Sequence, residues 1–109
     1  MAEQLPTAIQ KFIDTTNNAD SEGFVSVFTT DGSINDWGNE YDGTDRIARW
    51  NQTDNIGKQS HFELVNFKDQ GANKWLVNLK VTGNGFNGTS PFTFEIEGAK
   101  IKSMVISPD

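Results

Sequence analysis

A change in the spacing of the apolar residues, about halfway along the chain, limits its fold more than any other feature. From Leu5 to Asn18 these residues are spaced as one stripe of a helix, whereas from Ser60 onward they alternate with polar residues. Spacings of three and four residues are typical of amphipathic helices, and alternation is typical of half-buried strands. The sequence therefore predicts helices first and a sheet second, which is an α+β arrangement.

The first half begins with two predicted helices. The first follows the apolar stripe over residues 5–18. Asp20 or Ser21 can cap the second helix, because Asp and Ser side chains accept hydrogen bonds from amides of the first turn. The inner face of this second helix is expected to carry Phe24, Val27 and Phe28.

The segment that joins the two halves carries the best candidate for a working carboxylate. A brief strand is predicted over residues 33–35, a loop over residues 38–43, and a third helix capped by Thr44. Asp36 lies where the strand stops, directly before Trp37. A carboxylate beside a large ring is partly desolvated, which makes it a stronger base.

The second half predicts four strands joined by short turns, and hence an antiparallel meander. They cover residues 60–68, 75–82, 92–97 and 101–106. The alternation in the first of them places His61, Glu63, Val65 and Phe67 on one face, and Phe62, Leu64 and Asn66 on the other. A slip of one residue would exchange the two faces, so the register decides which side chains face a pocket.

Composition excludes several classes of function. With 109 residues, the chain is expected to form one domain over residues 1–109. Its net charge is −6 and its nine basic residues are scattered, which argues against binding of nucleic acid or an anionic membrane. It has no cysteine and one histidine, which excludes Cys-based zinc sites and multi-His metal sites. Neither a metal nor a cofactor is expected. Without a signal peptide or an apolar span, a cytoplasmic protein is the expectation.

Four segments resemble the nuclear-transport-factor-2-like (NTF2-like) superfamily, which includes SnoaL-like polyketide cyclases, ketosteroid isomerases and scytalone dehydratase. They cover residues 18–28, 31–38, 43–50 and 100–104. With the order of the predicted elements, they extend the resemblance over nearly the whole chain. The resemblance implies a cone-shaped (cystatin-like) α+β fold, with three N-terminal helices packed on a curved, mainly antiparallel sheet.

The resemblance also implies a catalytic pair. Asp36 falls where ketosteroid isomerases carry a proton-shuttling carboxylate, and His61 falls where scytalone dehydratase carries a pocket histidine. Together they could act as an acid–base pair on an apolar, oxygenated molecule. The positions of the isomerase oxyanion donors are occupied here by Phe12 and by Phe92 or Thr93. In each case a structural role is the alternative: Asp36 as a turn residue and His61 as a surface residue.

Further residues are candidates for lining a ligand pocket. They are Phe12, Phe28, Trp37, Trp50, Glu63, Trp75, Phe92 and Phe94. The phenylalanines are also candidates for the core, and the tryptophans for core packing or a dimer interface. Glu63 could equally form an ion pair at the rim.

Three classes of function follow from the sequence. The first is an enzyme of the isomerase, dehydratase or cyclase type, which transfers protons on a small hydrophobic molecule without a cofactor. The second is a binder of such a molecule that performs no chemistry. The third is a dimerisation or protein-interaction module, and a homodimer is expected in any of the three.

Overall fold

The α+β prediction is confirmed by the computed structural model, which describes residues 5–107. Three helices and six strands follow one another in the described residues, with a short 3₁₀ turn, Ile56–Lys58, after the third helix. The helices are α1 (Thr7–Asn17), α2 (Ser21–Ser26) and α3 (Thr44–Asp54). The strands are β1 (Phe28–Asp36), β2 (Asn39–Asp42), β3 (His61–Gly71), β4 (Lys74–Thr82), β5 (Gly88–Glu97) and β6 (Lys100–Ile106).

The helix starts agree with the sequence at α2 and differ from it at α3. Asp20 caps α2, since its Oδ1 accepts a hydrogen bond of 3.0 Å from the amide of Gly23. At α3 the cap residue is Gly43 and not Thr44, which is the first helical residue. Gly43 has a φ of 86°, a conformation that glycine adopts without steric cost. The prediction of a Thr44 cap was therefore wrong by one residue.

The joining segment contains more strand than the sequence predicted. Phe28 opens β1 instead of lying on the inner face of α2, so β1 is nine residues long. The expected loop over residues 38–43 instead contains β2, which pairs with β1 in antiparallel register. Trp37 and Gly38 make the turn between them, with φ angles of 53° and 94°. Positive φ at both turn residues is the geometry that two-residue hairpins favour.

All six strands form one sheet in the order β2-β1-β6-β5-β4-β3. The predicted antiparallel meander from β3 to β6 is confirmed. β1 joins the free edge of β6 in parallel, so that Asp36 lies opposite Ile106. Among residues 5–107, no helix combines the length and the apolar character needed to cross a membrane.

The core lies between the helices and one face of the sheet, called here the inner face. Phe12 of α1 stands at its centre, and its ring centroid lies 5.2 to 6.3 Å from five other rings. These rings belong to Phe24, Phe28, Phe62, Phe92 and Phe94. All six phenylalanines are buried, which makes this cluster the packed part of the inner face.

A bulge changes the phase of β3 partway along its length. Before the bulge, Phe62 pairs with Val81 on the inner face. An irregularity between Leu64 and Asn66 then shifts the register by one residue, so that Phe67 pairs with buried Val77. An extra residue in one strand reverses which side chains face inward. The prediction that Phe67 shares a face with His61 was therefore wrong.

Candidate functional site

An open cavity of ≈ 260 Å³ lies between α3 and the inner face, beside the phenylalanine cluster. Most of its wall is apolar and aromatic. The larger apolar side chains are Trp37, Trp50, Phe62, Phe86, Phe92 and Ile106. The polar side chains that reach it are Asp36, Asp54, Asn55, Ser60 and Ser90. Neither Lys nor Arg lines it within the described residues, so the cavity favours a neutral or cationic ligand over an anionic one.

Asp36 is fixed in the cavity wall by a hydrogen bond from α3. The indole Nε1–H of Trp50 donates to Asp36 Oδ2 at 3.0 Å. Trp50 is itself buried, and its ring stacks on Phe24 at a centroid distance of 6.0 Å. No other hydrogen bond to the Asp36 side chain is formed by residues 5–107. The carboxylate is therefore oriented through one oxygen, and Oδ1 is left for another donor.

Asn55 anchors the end of α3 beside the cavity. It is 1% exposed, and its side-chain amide donates to Thr16 Oγ1 and Asn51 Oδ1, both at 3.0 Å. The bond to Thr16 joins the end of α3 to α1, and both bonds satisfy a polar group that would be costly to bury alone. An Asn at a helix end is common, so the sequence did not single it out; only its burial marks it.

Ser90 of β5 is another cavity residue that the sequence analysis did not single out. It is 2% exposed and lines the cavity, yet its Oγ has no hydrogen-bond partner among the described residues. Ser90 lies two residues before Phe92 and therefore on the same face of β5. The predicted strand began only at Phe92, so the alternation was not followed back to Ser90.

Two exposed rings stand at the mouth of the cavity. Trp37 is 51% exposed and Phe86 is 46% exposed, although both are large apolar residues. Their ring centroids lie 6.1 Å apart in an edge-to-face arrangement. Trp37 comes from the β1–β2 turn and Phe86 from the glycine-rich loop between β4 and β5. The two loops thus meet across the entrance.

His61 and Glu63 do not reach the cavity. Both side chains are exposed. His61 and Glu63 lie opposite Thr82 and Lys80 of β4, on the sheet face that Phe62 does not share. Phe62 lines the cavity, whereas His61 and Glu63 on either side of it in β3 do not. The expected convergence of Asp36 and His61 on one cavity is therefore wrong, because the register of β3 turns the histidine outward.

The remaining predicted ligand residues divide between the core and the cavity. Trp37, Trp50 and Phe92 line the cavity together with Asp36. The structure instead places three phenylalanines in the packed core: Phe12, Phe28 and Phe94. Trp75 is half-buried and packs against Phe67 at 6.0 Å, away from the cavity. Whether the cavity residues bind a ligand stays a prediction. Within residues 5–107, no group of three or more acidic or histidine side chains is arranged as metal ligands would be.

Known proteins resemble this chain in structure but not significantly in sequence. No protein-family model and no curated protein matches the sequence significantly. A candidate polyketide cyclase from Sinorhizobium meliloti is similar in structure, with 24% identity and a TM-score of 0.83 over 94% of this chain and 95% of that one. An NTF2-like protein of unknown function from Cytophaga hutchinsonii has 15% identity and a TM-score of 0.81, over 100% of this chain and 95% of that one.

A third similar structure contains a ligand. It is a Mycobacterium tuberculosis protein in complex with estradiol-17β-hemisuccinate, with 16% identity and a TM-score of 0.83 over 97% of this chain and 95% of that one. Likeness at these identities concerns the fold alone. The resemblance to the NTF2-like superfamily that the sequence suggested is confirmed for the fold.

Proposed function

We propose, from the NTF2-like fold and the composition of the cavity wall, that this protein binds a small, neutral, mainly apolar molecule that carries a hydroxyl group. The observation that supports this most is the Asp36 carboxylate in an aromatic wall. Its Oδ2 accepts from Trp50, and its Oδ1 accepts from none of residues 5–107. A carboxylate oxygen only accepts hydrogen bonds, so the matching group on the ligand is a donor.

The size of the cavity supports a ligand of one or two rings. Ligand pockets usually measure about 300–1,000 Å³, and this one, at ≈ 260 Å³, lies just below that range. A larger molecule could be held if part of it projected between Trp37 and Phe86. The steroid ester bound by the M. tuberculosis protein shares the apolar ring body of the proposed ligand, but it is larger and carries a carboxylate.

Binding can be tested with two compounds that differ by one hydroxyl group. Tetrahydro-β-naphthol and tetralin share a two-ring body, and calorimetric titration gives the affinity of each. A hydrogen bond to a charged group contributes about 1.5–3 kcal/mol, so the hydroxyl should improve affinity about 10- to 100-fold in the wild type. Asp36→Ala should lose that preference.

The matched control is Asp42→Ala, which removes an exposed carboxylate from β2, away from the cavity. It should keep the wild-type preference. If the wild type binds neither tetrahydro-β-naphthol nor tetralin, the proposal is contradicted.

A second candidate function is proton transfer with Asp36 as the base. The Trp50 hydrogen bond favours it, because a base must be held in a fixed position to remove a proton efficiently. The substrate of this reaction is a ketone with a double bond between its β and γ carbons. Asp36 removes a proton from the α carbon, which lies between the ketone and the double bond, and returns it to the γ carbon. His61 has no part in it.

The candidate reaction can be followed with a β,γ-unsaturated cyclic ketone, since formation of the conjugated product raises ultraviolet absorbance. Asp36→Asn should lower the rate, on the order of 10²- to 10⁴-fold if Asp36 is the general base. Equal rates for both proteins would leave binding as the proposed function.

Homodimerisation, a conical shape of the sheet and a cytoplasmic location are part of this proposal. The outer face of β4 carries Leu76 and Lys80, which alternate with buried residues of the inner face. This face is the proposed dimer surface, or the docking surface of an interaction module. Light scattering of the purified protein would test it, and a mass equal to one chain would exclude a stable homodimer.

A further inference from the structure

Ser90 has a feature that the packing of the protein does not account for. Its hydroxyl is buried on the inner face and forms no hydrogen bond with residues 5–107. Buried hydroxyl groups nearly always have a partner, because burial removes the bonds that water would make. Alanine would fill almost the same space in β5 without this cost. The partner of Ser90 is therefore expected to be something that enters the cavity.

The sheet register keeps Ser90 well apart from Asp36. Phe92, Ile106 and Asp36 are neighbours across β5, β6 and β1, and Ser90 lies two residues further along β5. From strand spacing and rise, the Cα atoms of Ser90 and Asp36 would be roughly 12 Å apart in a flat sheet, and closer in a curved one. The apolar side chains of Phe92 and Ile106 lie between them. Because these two side chains stand between them, we expect the two polar residues to contact different atoms of a ligand.

The two polar residues also differ in what they recognise. Asp36 accepts, so it selects a hydroxyl hydrogen, whereas a serine hydroxyl can donate to an oxygen. No Lys or Arg of the described chain lines the cavity beside Ser90, so a neutral oxygen fits better than an anion. Ser90 is not arranged as a nucleophile, since that role needs a base hydrogen-bonded to the hydroxyl and Ser90 Oγ has no such partner among residues 5–107.

We infer that Ser90 is a specificity-determining residue that donates a hydrogen bond to a ketone oxygen at one end of the ligand, while Asp36 accepts from a hydroxyl at the other end. The ligand class is then a fused-ring hydroxyketone. This inference rests on the proposed binding function and adds to it a second point of recognition.

The test extends the compound series by one member, a hydroxytetralone with its phenol and its ketone at opposite ends of the two fused rings. Calorimetric titration compares it with tetrahydro-β-naphthol in the wild type and in Ser90→Ala. The hydroxytetralone should bind Ser90→Ala about tenfold more weakly than the wild type, which corresponds to one neutral hydrogen bond. The naphthol, which lacks the ketone, should bind both proteins equally.

Ser103→Ala is the matched control, because it removes a half-buried serine hydroxyl from neighbouring β6 that does not line the cavity. It should leave the preference for the ketone unchanged. Thermal unfolding of Ser90→Ala should show no loss of stability, so weaker binding would not reflect misfolding.

The possible outcomes separate the two proposals. If the hydroxytetralone binds wild type and Ser90→Ala equally, the inference is overturned while binding of the naphthol still supports the proposed function; water in the cavity would then be the partner of Ser90. Equal weakening of both compounds in Ser90→Ala also overturns it, since the effect would not depend on the ketone. If neither compound binds the wild type, both proposals fail.

Discussion

The inner face of the sheet has two regions with aromatic side chains, one of them closely packed and the other left with a cavity. In the packed region, α1 inserts Phe12 among five other phenylalanine rings. In the open region, beside Trp50, the wall contains the small side chains of Val81 and Ser90, and a cavity of ≈ 260 Å³ remains. Both regions use residues of β5, with Phe94 in one and Ser90 in the other.

This difference shows that a cavity remains where no element inserts a large side chain against the inner face, as α1 inserts Phe12 in the packed region. Phe92 contributes to both regions, since it packs against Phe12 and also lines the cavity. Hydrophobicity alone therefore does not separate core from cavity. The separation follows the position of α1, whose buried residues belong to the packed region and do not line the cavity.

The largest effect is expected from Phe12→Ala, which would break the packed region. Replacing a fully buried phenylalanine by alanine typically costs about 3–5 kcal/mol of unfolding free energy, through lost burial and the new void. Urea unfolding measures this cost. Phe86→Ala, which removes a ring of the same size at the exposed mouth, should change stability by roughly 0.5 kcal/mol or less. Similar costs for the two variants would contradict the division of the inner face.

A smaller effect is expected from Asn55→Ala, at the junction of the two regions. The variant removes the two hydrogen bonds that Asn55 donates and leaves the buried oxygens of Thr16 and Asn51 with one donor fewer. The expected loss is about 2–3 kcal/mol of unfolding free energy, again from urea unfolding. Asn84→Ala is the control, because its side-chain bond to Gln59 is exposed. A loss in that variant as large as in Asn55→Ala would show that burial is not the cause.

Trp50→Phe should have a moderate effect, confined to the open region. Phenylalanine keeps an aromatic ring against Phe24 but cannot donate to Asp36, so about 1–2 kcal/mol of stability should be lost. The preference for tetrahydro-β-naphthol over tetralin should also fall, because Asp36 loses its orientation. Unchanged preference would mean that the indole hydrogen bond does not position the carboxylate.

The smallest effect on stability is expected from Ser90→Ala. Because the hydroxyl has no partner within residues 5–107, its removal should leave the unfolding free energy unchanged or raise it by about 0.5 kcal/mol. Thermal unfolding without ligand measures this. A loss of more than 1 kcal/mol would indicate that the fold itself uses the hydroxyl.

Periodicity in the sequence predicted most of the fold, because each regular element has its own spacing. The stripe that contains Phe12 marks α1, and the alternation around Leu79 marks β4. The β1–β2 hairpin was missed because Trp37 makes its turn at a φ of 53°, which is unusual for a tryptophan. The bulge in β3 shifts the apolar alternation from Phe62 and Leu64 to Phe67, but the neighbouring apolar residue Val65 hides the position of the shift.

The site was less predictable than the fold. Asp36 was found because it stands at the end of a strand, whereas His61 was misplaced because one residue of register decides its face. Ser90 and Asn55 carry no mark in the sequence, since serine and asparagine are usually exposed. Their interest comes from burial, which depends on contacts between distant segments.

The parallel pairing of β1 with β6 has a consequence for the order of folding. Asp36 and Ile106 are neighbours in the sheet although about seventy residues separate them in the chain. Contacts between such distant residues form slowly, because a long loop must close before they are made. The wall that carries Asp36 is therefore expected to be completed after the β3–β6 meander, whose strands pair through short turns. A ligand that spans this wall would slow the detachment of β1, and hydrogen exchange at the amides of β1 would report it.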